Sequence, residues 1–332
     1  MNLLSSKTVS SLDDIKEPVR EELKAFEQFF REAMRSRVGL IDIIARYIIR
    51  QKGKRVRPLL VLLSAKVCGE INESTYRGAT LVEILHTATL VHDDVVDDAD
   101  TRRGFASINA VWKNKVAVLM GDYLLSRGLL LALEHDDYYF LNSTSNAVKR
   151  MSEGELLQIQ KSRQLNMDEQ TYLQIISDKT ASLFSTCTDI GAASATDQME
   201  TRRQLRAFGE NVGLAFQIRD DLLDYLGRKN ILGKPTGIDI REKKLTLPII
   251  YALKNGDQKD ARQALKIVRN GAKSKDIQWV MDFVEAAGGI DYSTRKAEQY
   301  AVAARENLVS VSESPAKSSL LQFVEFVMER SS

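Results

Sequence analysis

Between Leu59 and Lys234 this chain of 332 residues contains no proline. All five prolines, Pro18, Pro58, Pro235, Pro248 and Pro315, lie outside that span. A proline inside a helix costs about 3 kcal/mol, because it removes a donor and clashes with the preceding turn. So long a proline-free stretch is what stacked helices require. The apolar spacing agrees: Leu81, Leu85, Ala88 and Val95 recur at helical intervals. Period-two alternation over a strand's length is hard to find. Helices are predicted near 11–35, 39–52, 57–69, 74–98, 106–134, 140–163, 168–195 and 199–226, then 246–254, 257–270, 275–288, 290–309 and 314–329. Ser74 is the candidate N-cap of the fourth, and Pro315 after Ser314 suits the first turn of the last. The one long irregular connection is GRKNILGKPTGIDIREKKLT, residues 227–246, with three glycines and clustered charge. Loops of that length in helical proteins are usually functional. No linker composition or low-complexity run divides the chain, so the expectation is a single all-α domain, an antiparallel helix bundle spanning 1–332.

Bulk composition mainly excludes. Lys plus Arg at 47 nearly balances Asp plus Glu at 45, and a net charge of +2 leaves no global footprint for nucleic acid. Hydrophobic residues at 44% are enough for a sizeable core. Cys68 and Cys187 stand far apart in apolar surroundings and read as buried thiols in a reducing compartment. The first twenty residues have no basic segment followed by an apolar core, so a secretory signal is not expected. Apolar stretches such as VGLIDIIARYII are short and carry charge, which argues against a transmembrane segment. The expected location is cytoplasmic.

The charges act locally. LVHDDVVDDADTRRG, residues 90–104, packs five aspartates into eight positions. Asp93 and Asp97 stand one turn apart on one helix face, with Asp94 beside them. AFQIRDDLLDYLG, residues 215–227, repeats the D-D-x-x-D spacing with Asp220, Asp221 and Asp224. Each cluster follows an apolar helical run and should sit near a helix C-terminus, where the dipole disfavours negative charge. Two such placements point to an outside cation. All-oxygen ligands favour Mg²⁺ or Mn²⁺, and Mg²⁺ is typically completed by substrate phosphates. The acidic pair therefore predicts a phosphorylated ligand.

Phosphate also calls for basic side chains. GKRVRP offers Lys54 and Arg57, and TRRG places Arg102 and Arg103 directly after the first aspartates. Lys179, followed by Thr180, lies mid-helix between QIIS and ASLF, where a half-buried ammonium needs a partner. LGKPTG and REKKLTLP add Lys234 and Lys244 in the irregular loop. His86, two helical turns before Asp93, faces the same way.

In this order the blocks GKRVRP, DDVVD with TRRG, FQIRDDLLD and GKPTGID…KLTLP resemble the trans-isoprenyl diphosphate synthases, over most of the chain. The resemblance implies a helix bundle around a deep central pocket, usually as a homodimer, with the two aspartate helices facing each other across its mouth. It implies that Asp93, Asp94, Asp97, Asp220, Asp221 and Asp224 hold Mg²⁺, three ions per site, on an allylic diphosphate. Arg102, Lys179, Thr180, Gln217, Lys234 and Lys244 match positions that touch the same diphosphate. Lys54, Arg57, His86 and Arg103 match the pocket for isopentenyl diphosphate. REKKLT departs from the family's acidic-Gly-Lys form. Lys243 therefore competes with Lys244, whose spacing to Thr246 favours it.

The implied reaction is head-to-tail chain elongation, with Asp93, Asp97, Lys179, Asp220 and Lys234 closest to the chemistry. In the family the residue five before the first aspartate often sets product length. Here it is Ala88, followed by Thr89, about 7.5 Å deeper along the helix. Leu125, Gly128 and Leu129 are candidate lower walls. An alanine leaves the tunnel open, which implies a long-chain product of roughly six to ten isoprene units, of the kind used for quinone tails. The alternatives are a short-chain synthase, a terpene cyclase and a non-catalytic synthase subunit.

Overall fold

The computed structural model describes residues 11–51, 53–102, 104–226, 237–271 and 274–330. Nearly all of them are helical. The N-terminal helix expected over 11–35 is divided at Pro18 into α1 (Leu12–Lys16), a 3₁₀ turn (Glu17–Val19) and α2 (Arg20–Ala33). Then come α3 (Gly39–Arg50), α4 (Val56–Cys68) and α5 (Glu73–Val96). The α5 N-cap is Asn72, two residues before the expected Ser74. The Asn72 side chain accepts the Thr75 N–H while the Thr75 hydroxyl accepts the Asn72 N–H, a reciprocal box that Ser74 cannot form.

After the aspartates a short antiparallel hairpin pairs Thr101–Arg102 with Phe105–Ala106. No strand was expected here; Gly104, at φ 79°, makes the turn. The chain continues through α6 (Ile108–Leu133), α7 (Tyr138–Gln164) and α8 (Glu169–Ile176), a π turn (Ser177–Ala181), α9 (Ser182–Ala195) and α10 (Met199–Leu226). A short α11 (Ile238–Arg241) lies inside the irregular connection. The remaining helices are α12 (Leu247–Asn255), α13 (Gln258–Asn270), α14 (Ser274–Ala286), α15 (Gly289–Asn307) and α16 (Pro315–Glu329), the last capped by Ser314.

Two hydrophobic cores result. The larger joins α1–α7, α9, α16, the first half of α10 and the second half of α15, and the smaller joins α8, α12–α14 and the other halves of α10 and α15. Helix α10 runs through both: Leu205, Phe208, Val212 and Ala215 belong to the first, Ile218, Leu222 and Tyr225 to the second. Its aspartates emerge where the cores meet.

Small residues set the crossings that matter. A Cβ at Gly128 of α6 would lie 3.2 Å from Leu85, and one at Gly121 would overlap the His92 ring. Helices α5 and α6 are therefore pressed together along the face that carries Leu85, Ala88 and His92. Helix α6 is long and apolar enough by composition to cross a membrane, with mean hydropathy 1.6 over 18 residues, 39% of which are buried. Its outer side leaves Val111, Val118, Leu119, Leu130 and Leu133 exposed.

Candidate active site

Adjacent aspartates at the end of α5 face different surroundings. Asp93 and Asp97 are exposed, and Asp97 is the C-cap of the helix. Asp94 points inward and accepts two hydrogen bonds from the Arg102 guanidinium, at 2.8 and 2.5 Å. Arg102 can reach back because the hairpin reverses the chain directly after the helix. Two residues expected to meet metal and allylic diphosphate separately are thus joined to each other.

The second cluster shows the same division. Asp220 is exposed, 3.3 Å from Arg330. Asp221 is buried and accepts from Tyr172 Oη at 2.7 Å and Gln217 Nε2 at 2.8 Å. The Thr180 hydroxyl donates to Gln217 Oε1 at 2.7 Å, so Thr180, Gln217, Asp221 and Tyr172 form one chain of hydrogen bonds. Burial pushes the Asp221 carboxyl up to about 6, although both donors pull it down. Asp224 accepts the backbone N–H groups of Ile238 and Asp239, both at 3.1 Å, and so anchors α11.

Lys179, Thr180, Gln217, the three α10 aspartates and Lys244 line one cavity of about 330 Å³. Beside it a wider groove of about 970 Å³ is bounded by Asp97, Glu155, Gln158, Lys179, Lys243 and Lys244. Lys179 belongs to both. Its ammonium meets Glu155 and donates to Gln158 Oε1 at 3.0 Å, which supplies the partners its apolar flanks called for. Burial raises the Asp93 carboxyl as it does that of Asp221, and the Lys179 charge opposes the rise at both. Lys244 is half-buried and reaches the inner cavity, whereas Lys243 is exposed and lines only the groove. That favours Lys244.

A separate cavity of about 350 Å³ contains Lys54, Arg57 and Arg330 over the rings of Phe184, Phe216, Phe323 and Phe326. The Arg57 guanidinium lies 5.8 Å from the Phe184 centroid, and Lys54 Nζ lies 5.6 Å from that of Phe326. His86 is buried nearby, in a narrow cleft with Glu83, Asp94 and Arg102. Arg103 and Lys234 lie outside the described residues. Ala88 is buried and Thr89 half-buried, its hydroxyl bonded to the His86 carbonyl.

Several site residues escaped sequence reasoning. Asp239 lines the inner cavity, its carboxyl raised to about 8 by burial and by the charges of Asp221 and Asp224. It lay inside the quoted GID block but outside the repeated spacing. Tyr172, Glu155 and Gln158 carried no signal, since only folding brings α7 and α8 to the aspartates. The aromatic floor from α16 was equally silent.

Asp221 and Asp239 are both raised by burial and by neighbouring carboxylates, the mark of a cluster short of positive charge, and its ligands are all oxygen. Such a set suits Mg²⁺. Among the described residues no three candidate ligands gather into a closed cage. Mg²⁺ needs none, because it commonly takes one or two carboxylates and completes its shell with water and phosphate.

An aspartate-lined cavity holding two lysines, beside a separate basic cavity over aromatic rings, suits diphosphate chemistry. A family model described as Polyprenyl synthetase matches residues 39–284, and the chain belongs to that family. It is a prenyltransferase that extends trans-prenyl diphosphate chains. It is 38% identical over 320 residues to the all-trans-nonaprenyl-diphosphate synthase (geranyl-diphosphate specific) of Rhodobacter capsulatus, covering 96% of this chain and 97% of the relative. Among solved structures, a decaprenyl diphosphate synthase from Rhodobacter capsulatus superposes with TM-score 0.91 at 33% identity, covering 96% and 99% of the two chains. A polyprenyl synthase from Caulobacter crescentus, complexed with calcium and isoprenyl diphosphate, superposes with TM-score 0.89 at 32% identity, covering 98% of this chain and 100% of the other.

Proposed function

We propose that this chain adds isopentenyl diphosphate head-to-tail to an allylic diphosphate and makes a long-chain trans-polyprenyl diphosphate. The observation that carries the reading is a pair of separate pockets, one acidic with two lysines and one basic. One is lined by aspartates, Lys179 and Lys244, and the other is floored by four phenylalanines beneath Lys54 and Arg57. A cyclase handles one diphosphate and has little use for the second pocket. The nonaprenyl and decaprenyl relatives favour a long product.

In this reading the first pocket takes the allylic diphosphate. Mg²⁺, when bound, supplies Lewis-acid stabilisation of the leaving group. Asp93, Asp97, Asp220 and Asp224 would hold it directly, with Asp94 and Asp221 positioned behind them by Arg102, Tyr172 and Gln217. Lys179 and Lys244 take up the charge that grows on the departing diphosphate, an electrostatic contribution that is largest where water is excluded. Lys54, Arg57, His86 and Arg103 seat isopentenyl diphosphate. The phenylalanine floor presents its double bond and shields the allylic cation from water. The new carbon–carbon bond forms, and the proton leaves with the released diphosphate. Lys234 joins the allylic side. A single domain over 1–332, a cytoplasmic location and a homodimer formed through the apolar outer side of α6 complete the proposal.

The deciding experiment supplies the purified protein with radiolabelled isopentenyl diphosphate, farnesyl diphosphate and Mg²⁺, then sizes the product. Long-chain product supports the reading. Arrest at geranylgeranyl diphosphate indicates a short-chain enzyme. Hydrocarbon formed without isopentenyl diphosphate indicates a cyclase, and no turnover at all indicates a subunit that needs a partner.

A further inference from the structure

Helices α8 and α9 were expected to be one helix, 168–195. The chain instead inserts a π turn at Ser177–Ala181, where the Ser182 N–H donates to the Ser177 carbonyl five residues back. π turns are rare and mostly occur singly, often at functional sites. In an unbroken α-helix Thr180 would be turned by about 80° from Tyr172. Lys179 would already fall within about 20° of Tyr172, so the extra residue matters most for Thr180, which joins Tyr172, Ile176 and Lys179 on one cavity.

Side chains hold this turn. Arg150 of α7 donates from Nε to Asp178 Oδ1 at 2.7 Å. One of its terminal nitrogens donates to Ser177 Oγ at 2.8 Å and to Glu210 Oε1 at 3.1 Å. Ser177 Oγ in turn donates to Glu210 Oε1 at 2.5 Å. The other Asp178 oxygen accepts from Gln174 at 2.6 Å, and Ser182 Oγ donates to the Asp178 carbonyl at 2.6 Å. Gly154, one turn beyond Arg150, lets α7 approach. A Cβ there would stand 3.0 Å from Asp178 Cβ and 3.1 Å from the Lys179 nitrogen.

The charges fit the geometry. Asp178 and Glu210 share the Arg150 guanidinium, and Lys179 is left to Glu155 and Gln158. Without Arg150, two carboxylates would be left beside the π turn with no guanidinium to share.

We propose that Arg150, through Asp178, Ser177 and Glu210, is a positioning residue that fixes the π turn and so aims Lys179 and Thr180 at the leaving diphosphate. This rests on the reading of Lys179 and Thr180 as diphosphate ligands. Arg150 itself lines neither the inner cavity nor the groove beside it. Arg150→Met keeps most of the side chain's length and removes the fork.

Two measurements test it: steady-state kinetics for both substrates, and calorimetric binding of inorganic diphosphate with Mg²⁺. Arg150→Met is expected to lower kcat by about ten- to a hundredfold, the scale of a small misplacement at a reacting centre. KM for isopentenyl diphosphate, seated in the other pocket, should stay within about twofold, and diphosphate binding should weaken about tenfold. Arg150→Lys should rescue only partly, since an ammonium cannot span three oxygens. In a Lys179→Ala background the added loss should shrink to less than about threefold, because the two residues act through one contact. Additive losses, or equal damage to both substrates, overturn the proposal. If Arg150→Met does not fold, Ser177→Ala and Glu210→Gln retain the arginine and should show the same pattern at smaller size; their full activity also overturns it. Wild-type protein that binds diphosphate but makes no prenyl product overturns the functional reading alone, since the binding arm still decides the role of Arg150.

Discussion

Asp93 and Asp94 are neighbours in sequence and opposites in surroundings. Asp94 is tied to Arg102, so Asp94→Asn should act first on stability. A half-buried guanidinium left with a neutral acceptor costs about 1–3 kcal/mol, which a lowered Tm would record. Its Mg²⁺ requirement should change less. Asp97→Asn should do the reverse: raise the Mg²⁺ concentration for half-maximal activity and leave Tm nearly unchanged. Equal shifts in both mutants would contradict this division of labour. Ala88 lies on the buried α5 face between Leu85 and His92, against α6. Ala88→Phe should shorten the product, read by chromatography, and cost about 1–3 kcal/mol through overpacking. Mutant and parent products of the same length would discard Ala88 as a length determinant.

At the scale of elements, close helix crossings hold the site walls. A Cβ on Gly191 of α9 would stand 2.2 Å from the Val61 carbonyl oxygen and 2.9 Å from Ser64 Cβ of α4. Backbone cannot yield as a side-chain tip can. Gly191→Ala should therefore lower stability by about 1–3 kcal/mol and separate the helices that carry Arg57 and Phe184. A thermal melt with an unchanged Tm would refute the crossing. Helix α8 is fastened to α15 by Glu169, which accepts from Tyr292 at 2.8 and 2.7 Å and pairs with Lys296 at 2.9 Å. Partial burial raises the carboxyl, but the Tyr292 and Lys296 hydrogen bonds outweigh it and hold the group below its usual range. A depressed folded value means the stabilisation is present above the unfolded value and is lost as pH falls through the folded one. Tm of Glu169→Gln should thus fall less steeply than wild type on acidification below about pH 4.5. Parallel Tm curves would argue against the link.

For the whole molecule, α10 and α15 are shared by both cores, and α10 carries the site. Phe216 faces the aromatic-floored pocket and Gln217 the aspartate-lined one, so successive residues of one helix serve two cavities. The two cores meet along this helix, and the aspartate-lined cavity lies at their junction. The outer side of α6 exposes Leu119 at 58% and Leu130 at 49%, a patch more apolar than a solvated helix face needs. If a second copy covers it, wild-type protein should sediment as a dimer and Leu119→Glu should shift it to monomer. A wild-type monomer would remove the homodimer from the proposal.

Pattern alone determined the helical class, most helix limits and the repeated aspartate spacing, because a helix period and a proline-free span are properties of consecutive residues. It also singled out Lys179, whose apolar flanks demanded a partner. Which side chain faces which was settled only by folding. Asp94 meets Arg102 because a two-residue hairpin, too short to show as alternation, turns the chain back. Tyr172, Glu155, Gln158 and Asp239 join the site because separate helices converge, and Thr180 joins Lys179 at the cavity because the π turn after α8 breaks a period that the sequence keeps. Local periodicity is written along the chain. The register of that turn, and the sharing of charge between distant helices, depend on contacts that exist only once both cores have closed.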